Sequence, residues 1–312
     1  MGASPTPKTG DTVAVAFSGG VDSTALLIAT ARQSAPLGIR VVALHVHHGL
    51  MAEADDWAAQ AATVCEHLGV ELSVRRLDGR PRRGDSVEAW ARQARYAALA
   101  AMAKAEGASL VLLAQHADDQ AETVLLQALR GAGPAGLAAM PAQWQERGLT
   151  WARPWLRRRR AELAALVDAD GLPVVQDSSN ADPRFARSRL RSQVLPLIEP
   201  AFPHAVAVLG EVARHAAQAR QLADEVAALD LPACCNAEGH LGFDAWAALP
   251  PARRRNVLQA WLGRQLPAGV PVSLLDRLCT QWQRLGRSWP APGGRVRSVK
   301  AWLRVELSPP AK

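Results

Sequence analysis

Residues 13–23 read VAVAFSGGVDS, an apolar run of strand formers that breaks on two glycines and reopens as the helical string ALLIATARQ. Val13, Val15 and Phe17 favour a strand, while Asp22, Ser23 and Thr24 stand where a helix would start. A glycine turn between strand and helix lets backbone N–H groups approach an anion, and the helix end adds partial positive charge. The pattern therefore predicts a phosphate cradle built from Ser18, Gly19, Gly20, Val21, Asp22 and Ser23. No lysine follows the glycines, so the G-x-x-x-x-G-K-S/T loop is excluded. Asp22 would instead offer an oxygen to a magnesium ion bridging phosphate oxygens.

The surrounding chain predicts what holds this turn. From Thr12 to about Met140, strand-like runs at 41–46, 71–77 and 109–115 alternate with helical runs at 53–68, 86–105 and 120–129. Such alternation predicts an α/β fold, a doubly wound parallel sheet with helices on both faces and ligands at the carboxyl ends of its strands. We assign a catalytic domain to 1–200, with a nucleotide core at about 11–140 and a basic, RNA-facing extension at 141–200. A small, mostly helical domain follows at 201–312, with helices expected at 205–229, 253–265 and 273–285 and one or two short strands in RVRSVKAWLRVEL.

Composition narrows the partners. A net charge of +7 over 312 residues favours a polyanion. Cys65, Cys234, Cys235 and Cys279 form no C-x-x-C pair or metal-ligand spacing, which suits a reduced, cytoplasmic protein. No apolar run reaches membrane-spanning length, and the opening MGASPTPKTG has no signal-peptide core.

Four further strings carry chemistry. In His45-Val46-His47-His48-Gly49-Leu50, strand alternation separates His48 from His45 and His47, so the three do not form one metal site. His48 and Gly49 instead read as a polar rim that lets the nucleotide come close. In Gln115-His116-Ala117-Asp118-Asp119-Gln120-Ala121-Glu122-Thr123, acidic groups cluster at a strand–helix junction, where they could cap the helix, bind magnesium or hold a substrate ammonium. Glu88, Arg92 and Arg95 share a helical face. The G-x-G-x-x-G at 131–136 follows a helix rather than a strand, so it is a flexible loop and not a dinucleotide fingerprint.

The basic clusters at 153–160 and 184–191, interleaved with Trp151, Trp155 and Phe185, fit contacts to an RNA backbone and its bases. From them Arg153, Arg157, Arg187 and Arg191 are taken as RNA-binding.

SGGVDS resembles the PP-loop family of ATP pyrophosphatases. The strings H-x-x-H-G-L, Q-H-x-D-D-Q-x-E-T, E-x-x-A-R-x-x-R-Y, R-G-x-G-x-x-G-L and, over 177–191, D-x-S-N-x-D-x-x-F/Y-x-R-N-x-I/L-R resemble those of its lysidine synthetases, with Ser188 standing where that last pattern has asparagine. The resemblance spans residues 18–191 and continues more loosely over 253–307, and on it the chain is expected to follow the shorter architecture, without the extra C-terminal domain of longer members.

It implies ATP as substrate and magnesium as cofactor. The reaction would be adenylation of the wobble cytidine of an isoleucine tRNA with a CAU anticodon, followed by attack of free L-lysine. On this reading Asp22, His116, Asp118, Asp119 and Glu122 are catalytic, Asp22 and Asp118 hold the metal, and Ser18–Ser23, His48, Gly49 and Arg92 bind the nucleotide. Glu122 would hold the lysine ammonium and later accept its proton. A homodimer is compatible with this reading. The alternatives are a PP-loop tRNA thiolase and a non-catalytic RNA-binding protein.

Overall fold

A computed structural model describes residues 7–47, 54–77, 87–175, 184–266, 269–281 and 286–308. The chain divides into two compact units, Met1–Ala216 and Ala217–Lys312.

The first unit is built on a six-stranded sheet of β1 (Thr12–Ala16), β2 (Arg40–His47), β3 (Glu71–Arg76), β4 (Leu110–Leu112), β5 (Gln143–Glu146) and β6 (Leu149–Ala152), in the order β3-β2-β1-β4-β6-β5. All neighbours run parallel except β5, which pairs antiparallel with β6. Parallel strands covered on both faces read as continuous apolar runs, and Val42, Ala43, Leu44 and His45 of β2 are accordingly all buried. Helices α1 (Val21–Ser34) and α2 (Ala54–Leu68) cover one face, packing Leu26, Leu27, Val64 and Cys65 onto Val15, Phe17 and Ala43. Helix α3 (Val87–Ala105) covers the other, with Leu99 and Ala103 against Ala14, Leu44, Val111 and Trp151. Helix α6 (Arg160–Asp170) then packs Leu163 and Val167 on Ala25 and Ile28, so α1 is buried on two sides.

After β3 the sheet grows from the opposite edge of β1. The carboxyl ends of β1 and β4 therefore flank the switch point where open α/β sheets bind ligands.

The sheet extends past the expected end of the alternation at about 140. Residues 143–152 fold as a hairpin about Arg147 (φ 56°) and Gly148 (φ 72°), both left-handed as a tight two-residue turn requires. Its strands are only four residues each, too short to show a clear period. Trp144 stacks on its cross-strand partner Trp151 at 5.8 Å, and Trp151 is fully buried, which removes it from the aromatic residues that could stack on RNA bases.

Beyond the hairpin, α4 (Ala117–Leu129), α5 (Pro134–Leu137), α7 (Ala186–Arg189) and α8 (Leu195–Ala201) complete the unit. Helix α9 (Ala205–Cys234) starts here and ends in the second unit.

That second unit carries α10 (Phe243–Ala247), α11 (Pro251–Gln265), α12 (Val272–Gln281) and an antiparallel sheet of β7 (Leu241–Gly242), β8 (Ser288–Ala291), β9 (Gly294–Val299) and β10 (Trp302–Leu307), in the order β7-β10-β9-β8. Its core joins Trp246, Trp261 and Trp289 to Leu258, Leu262, Leu278, Val296 and Leu303. Helix dominates, as expected. The sheet has four strands where one or two were expected, because β7 has two residues and β8 contains Pro290, which leaves neither with a readable alternation. Among the described residues no helix is long and apolar enough to cross a membrane.

Candidate functional site: carboxylates at the switch point

The glycine turn sits where β1 ends. Gly19 has φ +83°, and a Cβ placed on it would lie 2.9 Å from Cγ2 of Val175, whose N–H donates to the Gly19 carbonyl at 2.9 Å. Only glycine fits that combination of dihedral and close approach. Two serines lace the turn: Ser18 N–H donates to Ser23 Oγ (3.2 Å), and Ser23 Oγ donates to the Gly20 carbonyl (3.0 Å). Gly20 occupies the N-cap of α1 in extended conformation, and no side-chain cap closes the helix start. The first N–H groups of α1 thus face the switch point without an intrahelical partner.

Across the switch point, β4 leads to His116, the N-cap of α4. His116 is 1% exposed and has three carboxylates around it. Nε2 lies 3.4 Å from Asp119 Oδ2 and 3.7 Å from Asp22 Oδ2, and Nδ1 lies 3.4 Å from Asp118 Oδ2. Burial works against the imidazolium, but hydrogen bonds to Asp118 and Asp22 and the charge of Asp119 outweigh it and raise the pKa to about 9. The backbone closes the helix start in a capping box: the His116 N–H donates to Asp119 Oδ2 at 3.2 Å, and the Asp119 N–H lies 3.4 Å from His116 Nδ1. Burial likewise opposes ionisation of Asp22 and Asp118. His116, together with Arg160 for Asp22 and with Arg159 and the Arg160 N–H for Asp118, nevertheless holds both below the usual carboxylate range.

Each carboxylate also has an arginine. Asp118 Oδ1 accepts from Arg159 Nε (3.1 Å) and Oδ2 from the Arg160 N–H (2.9 Å), while Arg160 Nε lies 3.4 Å from Asp22 Oδ1. Glu122 has no solvent exposure. It accepts from Arg187 Nε at 2.8 Å and from Arg191 Nε at 2.7 Å, and Arg191 Nη2 also reaches Asp119 Oδ1 at 3.1 Å.

The structure thus brings Asp22, His116, Asp118, Asp119 and Glu122 together at the end of the cradle. It turns Arg187 and Arg191 toward this acidic cluster. Arg153 is 4% exposed: its guanidinium donates to Gln115 Oε1 (2.9 Å) and the Pro141 carbonyl (2.8 Å) and lies 4.2 Å from the centre of the Trp144 ring. Arg92 is exposed, stacked 5.1 Å over Tyr96. Arg157 is exposed. His48, Gly49 and the 176–183 stretch lie outside the described residues, as does the side chain of Glu88.

Three participants were not singled out from the sequence. Arg159 and Arg160 belonged to a basic run whose two inward members no local signal marks. Gln120 clamps the base of the glycine loop, donating from Nε2 to the Met140 carbonyl (3.0 Å) and accepting the Met140 N–H (3.1 Å). Its position inside an acidic motif drew attention to the neighbours instead.

Asp22 and Asp118 offer hard oxygen donors, and no group of three or more His, Cys, Asp or Glu among the described residues could hold a metal ion. Magnesium takes one or two carboxylates and completes its shell with phosphate oxygens and water, and two aspartates are a donor set of that chemistry. The cysteines offer little sulfur chemistry. All four are free, and burial pushes Cys65 up to about 12 and raises Cys234, Cys235 and Cys279 as well.

Comparison with known proteins agrees with this architecture. Residues 3–198 match the PP-loop domain family, and residues 241–303 match the TilS substrate binding domain. A tRNA(Ile)-lysidine synthase of Burkholderia mallei is 44% identical over 94% of this chain, which spans only 60% of that protein's length. Its counterpart in Bordetella bronchiseptica is 40% identical, with 94% of this chain and 89% of that protein covered. Among solved structures, a U34-tRNA thiolase of Methanococcus maripaludis superposes with a TM-score of 0.58 at 17% identity, covering 67% of this chain and 72% of that one, a likeness of fold. The PP-loop match over most of the first unit and the extent of the Bordetella alignment establish that this chain belongs to the tRNA(Ile)-lysidine synthase family of PP-loop proteins.

Proposed function

We propose that the chain is an ATP-dependent ligase that joins free L-lysine to C2 of the wobble cytidine in an isoleucine tRNA with a CAU anticodon. The reaction passes through a cytidine adenylated on its C2 oxygen and releases diphosphate and AMP. The observation that carries this reading is the facing of an uncapped helix start at the β1 turn and an acidic cluster on α4 across one switch point. Family membership then selects this member of the PP-loop enzymes.

In this reading the Ser18–Ser23 turn and the first N–H groups of α1 hold the departing diphosphate, whose growing charge the helix end stabilises. Asp22 and Asp118 would hold magnesium, which supplies further positive charge to the phosphates when bound. Lysine carries an ammonium with a pKa of about 10.4 and must lose a proton before it attacks. Asp119 and Glu122 are the carboxylates that would hold that ammonium and take its proton. Glu122 can do so only after Arg187 or Arg191 moves aside. Arg153 packs inside the unit on Gln115, Pro141 and Trp144, while exposed Arg92 would reach the nucleotide and exposed Arg157 the RNA backbone. The enzyme would work in the cytoplasm with its tRNA, and light scattering would settle whether it pairs with a second copy.

The decisive experiment follows diphosphate release from ATP with the isoleucine tRNA, with and without lysine, alongside mass analysis of the wobble nucleoside. A lysine-dependent gain of one lysine minus water at cytidine is expected. Diphosphate release without that gain would redirect the reading to another nucleophile, and no diphosphate release would leave an RNA-binding protein.

A further inference from the structure

Of the arginines whose side chains reach the carboxylates of α4, Arg159 differs from Arg187 and Arg191. It occupies the N-cap of α6, where Glu162 Oε1 accepts its backbone N–H at 2.9 Å and leaves the side chain free to reach back. Its guanidinium is shared. Nη2 lies 2.9 Å from Asp118 Oδ1 and 2.6 Å from Glu199 Oε1 on α8. The other oxygen of Asp118 is held by the Arg160 backbone N–H, which the start of α6 fixes in place. The Oδ1 side is therefore where a cation would approach Asp118, and a guanidinium already stands there.

We propose that Arg159 is a positioning residue that acts as an exchangeable counter-ion. It neutralises Asp118 until a divalent cation takes its place, then turns wholly to Glu199. The inference rests on the reading of Asp118 as a magnesium ligand.

Two observations make Arg159 the arginine that yields. Its side chain is 41% exposed and Glu199 is 35% exposed, so leaving Asp118 strands no charge in a dry interior. Arg187 and Arg191, in contrast, pair with Glu122 at 0% exposure, and removing them would leave an uncompensated buried carboxylate. A magnesium ion and a guanidinium cannot share one carboxylate oxygen without strong like-charge repulsion. The cation must therefore displace the arginine, and the Glu199 contact lowers the barrier by receiving it.

The test measures ATP binding by calorimetry at stepped magnesium concentrations, without tRNA or lysine. Arg159→Gln should lower the half-maximal magnesium concentration by roughly three- to tenfold, the scale of one part-exposed charge-assisted contact. Glu199→Gln, which leaves Arg159 to Asp118 alone, should raise it. Arg158→Gln controls for net charge: among the described residues Arg158 pairs with Oε2 of exposed Glu162 at 3.0 Å, leaving Oε1 to the Arg159 N–H, and the change should shift the midpoint less than twofold, as expected for a screened surface charge. Should Arg159→Gln fail to fold, Arg159→Lys keeps the charge without the two-sided reach and should give a smaller shift in the same direction. An unchanged midpoint in Arg159→Gln, or an equal shift in Arg158→Gln, overturns the exchange. ATP binding that ignores magnesium in every variant overturns the magnesium reading itself.

Discussion

Arg191 Nε lies 2.7 Å from Oε1 of Glu122, a carboxylate with no solvent exposure that Arg187 also grips at 2.8 Å. Two segments far apart in sequence, α4 and the stretch from α7 into the helical turn that follows it, are thereby tied through one side chain. The arginines that the sequence offers to RNA serve first as partners of a buried acid.

Removing that acid should therefore be felt in stability before chemistry. Glu122→Gln leaves two guanidiniums facing a neutral amide. It should lower unfolding free energy by roughly 1–3 kcal/mol, less than for a fully buried pair because both arginines reach water. Chemical denaturation measures this, and an unchanged midpoint with an altered KM for lysine would show that the residue serves substrate alone.

Gly19→Ala should impair the cradle. The left-handed backbone costs about 1–2 kcal/mol for a residue with a Cβ, and the new atom would sit 2.9 Å from Val175 Cγ2. Adding Val175→Ala should recover the overlap but not the dihedral strain. Nucleotide affinity of the single and double variants separates the two contributions, and full affinity in Gly19→Ala would show that the turn is not held as described.

Gln120→Leu should loosen the glycine loop from 131 to 140 without touching the carboxylates. Both amide groups of Gln120 bond Met140, and losing them leaves a partly buried N–H and carbonyl unsatisfied, worth about 1–3 kcal/mol. Hydrogen exchange at the Met140 amide should accelerate. Protection equal to that of the parent would mean that the loop is held elsewhere.

The imidazole of His116 sets a pH signature for the cation-free protein. Its folded pKa of about 9 lies above the ordinary value, so its contribution is complete below about pH 6.5 and is lost as pH rises through about 9. Asp22 and Asp118, held low, act in the opposite sense and lose their contribution as pH falls below about 4. Urea midpoints should decline on the alkaline side, and His116→Asn should flatten that decline. Parallel curves for the two proteins between about pH 6.5 and 9 would contradict the assignment.

Much of the first unit's fold is legible in the sequence. The strand–turn–helix at 13–34, the alternation to β4 and the acidic start of α4 are written in patterns a few residues long, because pleat, helical period and capping act over that range. The 143–152 hairpin and the short strands β7 and β8 were not, since two to four residues carry too little period to read.

Charge was decided later still. By itself the sequence determined that a glycine turn would open onto a helix start and that acids and arginines would lie near it along the chain. Only the tertiary structure decided that Arg153 is enclosed by Gln115, Pro141 and Trp144, that Arg187 and Arg191 turn to Glu122, and that Arg159 is shared between Asp118 and Glu199. An arginine on a polar stretch reads the same whether it faces water or a carboxylate. Its partner is set by which ends of distant elements the sheet order brings together, and by the penalty for leaving either charge dry and unpaired.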